Sequence, residues 1–485
     1  MKPDENPMKI DRRSFLRSTT AALSAGVVGG CGSTSRGPDG NVIARGTVSA
    51  AEVPLEGVCV SDGLHVVATD SNGSFELPLE SASGPFLFVR APQGYWADRF
   101  WTPTQRAASG PVKFKLEPVD QKSRFRFVYL TDAHLGEGSD PKKLFGRLRE
   151  ALSDLATLSP PPDFVWFGGD MCVGSGWGST FKKLMEGQGL PTRYCVGDHE
   201  LRTNQYDPRA DYGSFFGPTY YSFDWAGAHF VALDGCRVVR DGARLSVNGE
   251  FSPEELAWLE EDMAMVEPGT PTVVAVHMPL ASTNAIRRSE GEVDAPGCVH
   301  RNPSAIFEIL KGHDVPLVLQ GHLHENERLV QGTTEFVVTV SVSGQWWTRD
   351  AWDVGVSGEP RGFRVVDVDG QKVEHTFVPI GEEAPVVGEI VGRPELLPRS
   401  EKVSLLLNVF DARSDAIVES RVGEGSWTRL AVARPEGTVK GLQMAHHWLL
   451  VLDTRSWELG EHRLEIQISD PGGQKRRLAH TIEVI

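Results

Sequence analysis

The eleven residues RFRFVYLTDAH, positions 124–134, decide how this chain is read. From Arg124 to Leu130 aromatic and β-branched side chains follow one another with little polar relief, as in a strand covered on both faces. The run stops at a polar block, Asp132-Ala133-His134. The same design returns downstream. DFVWFGGD (163–170) ends at Gly169-Asp170, TRYCVGD (192–198) runs into Asp198-His199-Glu200, TVVAVH (272–277) ends on His277, and VPLVLQGH (315–322) continues into His322-Leu323-His324. Helical stretches separate the strands. Leu144, Leu148, Leu152 and Leu155 recur near a helical period after Asp140-Pro141, and Ser252-Pro253-Glu254-Glu255 reads as a capping box with Pro at the first helical position. Strands alternating with helices predict a layered α/β domain.

An Asp-x-His or a strand-end His is weak alone. Five such blocks in series are not, because ligands bind at the carboxyl ends of strands in open α/β sheets and separate strands can aim their side chains into one pocket. Carboxylates and imidazoles without a thiolate favour Mn, Fe, Zn or Ni over a pure Mg or Ca site. The cluster is too rich for one ion, and a shared Asp can bridge two ions about 3.5–4 Å apart. Asp170, on the middle strand, is the natural bridge.

The order D-x-H, G-D, G-N-H-[DE], H, G-H-x-H resembles that of the calcineurin-like metallophosphoesterases, over Arg124 to about Pro379. The resemblance implies a four-layer α/β/β/α core and metal-dependent hydrolysis of phosphoesters by a hydroxide bridging two divalent or trivalent transition-metal ions. It implies Asp132, His134, Asp170 and His324 as ligands of one ion, and Asp170, Asp198, His277 and His322 as ligands of the other. It makes His199 the acid that protonates the leaving oxygen. Residues 212–234 resemble the hairpin that follows the third block in this family. Purple acid phosphatases, a related branch, are disfavoured: they lack the first-block His and need a Tyr where Val173 stands. One departure is plain, since position 198 is Asp where the family usually has Asn. Three ligand carboxylates against two divalent ions leave a formal charge of +1, not +2, which predicts weaker anion binding. Asp198→Asn is expected to keep or raise activity.

Outside this region the texture changes. Residues 42–118 read as a small β-sandwich with hairpin signals at Asp62-Gly63 and Asn72-Gly73, and resemble transthyretin-like and carboxypeptidase-regulatory-like modules. Residues 385–485 read as a second all-β sandwich, in which His446-His447 is expected to be structural. Both flanks look like the companions of one bacterial lineage of these phosphoesterases. The first 31 residues are an address. Arg12-Arg13 ahead of Phe15-Leu16 resembles a twin-arginine export signal, the apolar run 19–30 is too short to span a bilayer, and Val28-Gly29-Gly30-Cys31 looks like a lipobox. An exported periplasmic or cell-surface lipoprotein is expected, held to the membrane only by lipid on Cys31, with residues 32–41 as a flexible tether.

Of 485 residues, 65 are Asp or Glu and 49 Lys or Arg, so the surface repels polyanions and a nucleic-acid partner is not expected. At 40% hydrophobic and 24% charged, with 51 Gly, the chain is neither disordered nor membrane-spanning in bulk. The substrate expected is a small-molecule or headgroup phosphoester, a diester somewhat favoured over a monoester. Its determinants are expected in the loops holding Arg202 and Arg209, Arg287 and Arg288, and Gln345-Trp346-Trp347. The rival reading is an exported binding lipoprotein whose middle domain keeps a degenerate or structural metal site.

Overall fold

The computed structural model describes residues 42–485 apart from 174, 203–206, 243, 288–299, 348–352, 383–386, 393, 401, 434–444 and 472–474. The export signal, Cys31, the tether and Arg288 lie outside the described residues. Among the latter, Cys59, Cys172, Cys195 and Cys236 are buried and free.

Two sheets form the centre. One has five strands in the order Thr192–Tyr194, Phe164–Phe167, Arg124–Leu130, Gly362–Asp369, Lys372–Pro379. The other has six, in the order Tyr221–Trp225, Ala228–Leu233, Pro271–Val276, Asp314–Gln320, Thr334–Val338, Glu327–Gln331. In the first, 124–130, 164–167 and 192–194 run parallel; in the second, 228–233, 271–276 and 314–320 do, so the polar blocks of each set emerge at one end. The inner faces meet through aromatic rings: Phe127 lies 5.5 Å from Phe230 and Phe164 5.4 Å from Phe230, edge to face. Helix Pro141–Ala156 covers the outer face of the first sheet with Leu144, Leu148, Leu152 and Leu155. Helices Pro253–Ala264 and Pro303–Leu310 cover the second through Trp258, Leu259, Met263 and Ile306. The layering is helix, sheet, sheet, helix, the four-layer α/β core expected.

Local signals behave as their chemistry dictates. Asp140 and Ser252 cap their helices by accepting from Lys143 N and Glu255 N. The capping box is only half made, because Glu255 turns away to accept from Asp234 N at 2.8 Å. Within 212–234 the hairpin is confined to Tyr221–Trp225 and Ala228–Leu233, preceded by helix Ala210–Phe216. Two turn readings need correction. The Asp62-Gly63 loop spans four residues, since Ser61 pairs with Val66, and Asp62 organises it by accepting from Leu64 N and His65 N. Asn72-Gly73 does not close a hairpin: it carries the chain from Val66–Ala68 in one sheet to Ser74–Leu79 in another.

The flanking modules are β-sandwiches, each of two sheets, the first interrupted by an unforeseen helix, Thr104–Ser109. The first module shares one apolar cluster with the core. Trp96 meets Phe223 at 5.8 Å and Trp225 at 5.5 Å, and the fully buried guanidinium of Arg193 lies 3.5 Å over Trp96. The C-terminal module has its own cluster and joins the core mainly through polar groups, beside a small apolar contact of Phe410 with Val340 and Phe377. Arg364 donates to Asp411 at 2.8 Å, Arg328 to the Asp411 carbonyl at 3.0 Å, and the Asn326 amide to the Phe410 carbonyl at 3.0 Å. His446 and His447 are buried at this seam, on Asn408 Oδ1 at 2.7 Å and the Ser357 carbonyl at 3.0 Å.

Candidate metal centre

The strand ends bring Asp132, His134, Asp170, Asp198, His199, His277, His322 and His324 into one buried patch at the mouth between the two sheets. The ligand atoms fall into groups. Asp132, His134 and His324 share one region, and Asp170, Asp198, His277 and His322 share another. His324 Nε2 is 3.1 Å from Asp132 Oδ1, and His322 Nδ1 is 2.9 Å from Asp198 Oδ1. Asp170 Oδ2 lies between the groups, 3.1 Å from His277 Nε2 and 3.7 Å from His134 Nε2.

The backbone is bent hard to achieve this. Asp132, His134, Asp170, His322 and His324 all have φ between 49° and 71°, the left-handed region that side chains other than glycine avoid. Such bends let a chain leaving a strand turn its next side chain sideways into the mouth. Glycine supplies the rest: Gly169 sits at φ 100°, and a Cβ there would meet the His277 ring.

The donor set fits metal ions. Asp132 Oδ1, Asp198 Oδ1 and His277 Nε2 are buried without a hydrogen-bond partner, although buried polar groups are normally satisfied. His134 Nε2 and His324 Nε2 face each other at 2.9 Å. The opposite nitrogens are anchored: His277 Nδ1 bonds the Gly168 carbonyl and His324 Nδ1 the Gly344 carbonyl, both at 2.8 Å, which leaves each Nε2 lone pair aimed inward. Burial alone would push the carboxyls up, yet facing imidazoles hold them below the usual range. His324 and His277 do so at Asp132, His322 at Asp198, and His277 at Asp170, where Asp198 opposes.

His199 sits beside the ligand groups. Its backbone N–H donates to Asp170 Oδ1 at 2.9 Å, its Nε2 is 3.9 Å from Asp170 Oδ2, and its Nδ1 is hydrogen-bonded to Glu137. Burial opposes a charge on this ring, but Asp170, Glu137 and Asp198 raise it to about 10 in the metal-free protein.

The sequence names Glu200 in the third block and Arg202 as a substrate determinant, but not the pairings that these two and Glu137 make. Glu137 orients His199. Glu200 accepts four backbone N–H bonds, from Asp170, Met171, Cys172 and Gly197, stapling the second block to the third. Arg202 is paired with Asp198. The spacing His134-x-x-Glu137 was the available signal for the first. Two arginines expected to meet substrate are engaged by carboxylates instead. Arg209 is tied to Asp234 at 2.7 Å, and Arg287 is buried against Glu325, because both neutralise carboxylates taken out of water. The tryptophans do border the centre: Trp346 is 5.2 Å from the His134 ring, and the half-exposed Trp347 is 4.8 Å from the His324 ring.

Residues 125–326 match the calcineurin-like phosphoesterase family, and residues 42–119 and 335–438 match the N-terminal and C-terminal domains described for it. The chain belongs to this family and is a hydrolase of its phosphoesterase class. It is 28% identical over 290 residues to a probable cyclic nucleotide phosphodiesterase of Rhodococcus erythropolis, covering 55% of this chain and 87% of the relative. It is 26% identical over 283 residues to a cAMP/cGMP dual specificity phosphodiesterase of Mycobacterium tuberculosis, covering 55% and 81%. Among solved structures, a purple acid phosphatase from yellow lupin (Lupinus luteus) is similar at TM-score 0.36 and 15% identity, over 66% of this chain and 67% of the other.

Proposed function

We propose that the protein hydrolyses small phosphodiesters, and that Asp132, His134, Asp170 and His324 hold one transition-metal ion while Asp170, Asp198, His277 and His322 hold a second. The observation that carries this is Asp170 Oδ2, which stands within 3.1 Å of one ligand group and 3.7 Å of the other. When bound, two such ions supply Lewis acidity toward a phosphoryl group and acidify water at neutral pH. The chain's own residues do the rest. Asp170 keeps the two halves at a fixed spacing, Glu200 and the bent backbone fix Asp170, and His199 holds a proton on Nε2 for the departing alkoxide while Glu137 fixes its Nδ1. The two relatives named for cyclic nucleotides favour a diester, and Trp347 offers an apolar face to a flat leaving group. The export address stands with this proposal, placing the enzyme outside the cytoplasm with Cys31 lipidated.

The test is hydrolysis of an aryl phosphodiester, a cyclic nucleotide and the matching monoester after loading with Mn, Fe, Zn or Ni, with Asp170→Asn as the blank. Turnover dependent on metal, absent from the blank and greater on the diesters, is expected. A preparation that takes up two ions and hydrolyses none of them would reject the reading.

A further inference from the structure

The two oxygens of Asp198 have different neighbours. Oδ1 faces the ligand group, 2.9 Å from His322 Nδ1 and 3.5 Å from His277 Nε2. Oδ2 points toward His199, 3.9 Å from Nε2, and is held by the guanidinium of Arg202. Asp198 is fully buried, whereas the Arg202 side chain is 43% exposed, so the pair runs from the bottom of the site to its rim. A one-turn 3₁₀ helix, Glu200–Arg202, makes this possible: Leu201 N donates to the Asp198 carbonyl at 3.2 Å and Arg202 N to the His199 carbonyl at 3.3 Å, folding Arg202 back over Asp198.

Charge gives the pair its meaning. Asp132, Asp170 and Asp198 are three carboxylates, and against two divalent ions they leave +1. The guanidinium adds one and returns the centre to +2, the value an uncharged ligand at 198 would have left. Its planar fork also occupies Oδ2, which leaves Oδ1 alone for a metal.

We propose that Arg202 is a positioning residue of the metal centre: it restricts Asp198 to ligation through one oxygen and restores the positive charge that the third carboxylate removes, and so sets the affinity for phosphate anions. This rests on the two-ion reading above.

The test is a double-mutant cycle on the full protein: wild type, Arg202→Met, Asp198→Asn and the double variant, with Arg202→Lys as the conservative control. Two probes are read by calorimetry, Mn2+ titrated into metal-free protein and inorganic phosphate titrated into the loaded form. Arg202→Met is expected to tighten Mn2+ and weaken phosphate, each by about fivefold, the modest size following from solvent screening at the partly exposed guanidinium. Asp198→Asn moves both the other way. The double variant returns phosphate affinity to within about twofold of wild type, and Arg202→Lys recovers it because a point charge suffices. An arginine that merely braced the loop would weaken Mn2+ when removed, so weaker Mn2+ binding overturns the proposal. Phosphate affinity unchanged in Arg202→Met, or a double variant that binds phosphate as weakly as Arg202→Met, overturns it as well. Wild type that fails to take up two Mn2+ removes the two-ion reading and this inference with it. Two ions bound, the predicted cycle seen and no ester hydrolysed would reject the phosphoesterase reading alone.

Discussion

The two β-sandwich modules flank the same core and are fastened to it in different proportions, the first mainly by apolar contact beside the Arg90 pairs to Asp224 and Asp262, the second mainly by polar groups. The N-terminal module is continuous with the core's apolar interior, through Trp96, Phe100, Phe223 and the caged Arg193. The C-terminal module docks through buried charge and amide groups, and these lead to the metal loop: Asn326 lies two residues beyond His324. Its side-chain oxygen accepts from Val340 N at 3.1 Å and from Arg364 at 3.2 Å, its N–H donates to Glu359 at 2.6 Å, and its amide reaches Phe410. Apolar burial is indifferent to direction, while hydrogen bonds to a loop fix where that loop stands. The first junction therefore serves mainly stability, and the second also positions His322 and His324.

The sharpest way to break this contrast is Trp96→Ala, expected to cost about 3–5 kcal/mol by opening a cavity in the shared cluster. Denaturant unfolding would read the loss, and the fraction still folded should bind metal with unchanged affinity. Arg364→Met comes next at about 3 kcal/mol, because it strips the closest partner from the buried Asp411 carboxylate. Here metal affinity should fall too, which calorimetry on folded protein would detect. If Trp96→Ala weakened metal binding and Arg364→Met did not, the contrast would be inverted.

Acid tests the C-terminal junction more gently. Burial opposes ionisation of Asp411, but Arg364 and Arg328 lower its carboxyl from 3.8 to about 2. A folded value below the unfolded one contributes stability that is present above pH 3.8 and lost as pH falls through about 2, on the order of 2 kcal/mol. The C-terminal seam should loosen in that window, as hydrogen exchange on the C-terminal module would show. Smallest of all should be Arg193→Met. The buried guanidinium has no carboxylate partner among the described residues, and burial lowers it from 12.5 to about 10, so an apolar replacement trades aromatic contact for relieved desolvation. A change within about 1 kcal/mol is expected, measured by thermal unfolding.

The sequence was legible wherever one residue announced its own environment. Apolar runs ending in polar blocks marked the parallel strands and brought the eight expected side chains to one mouth, and Asp140 and Ser252 marked helix starts. What it hid were pairings between distant segments. Glu137 with His199 and Asn326 with Phe410 depend on which loops the fold brings together. Arg209 and Arg287 looked available to a phosphate because their carboxylate partners, Asp234 and Glu325, lie 25 and 38 residues away. Asn72-Gly73 was a sound turn signal, but a dipeptide cannot say whether the next strand stays in the same sheet. Arg202 was the near miss: its partner is four residues back, yet only the 3₁₀ turn reveals that they touch.

The left-handed backbone at Asp132, His134, Asp170, His322 and His324 bears on how such a protein could age in a lineage. Each of these residues sits where a glycine would relax the chain, by about 1 kcal/mol apiece. A descendant freed from its catalytic duty would gain robustness by replacing them one at a time, and the site would erode first at its most strained positions. Five such positions still occupied by carboxylates and imidazoles are a standing thermodynamic expense, and that expense makes the centre a sensitive recorder of whether its chemistry is in use.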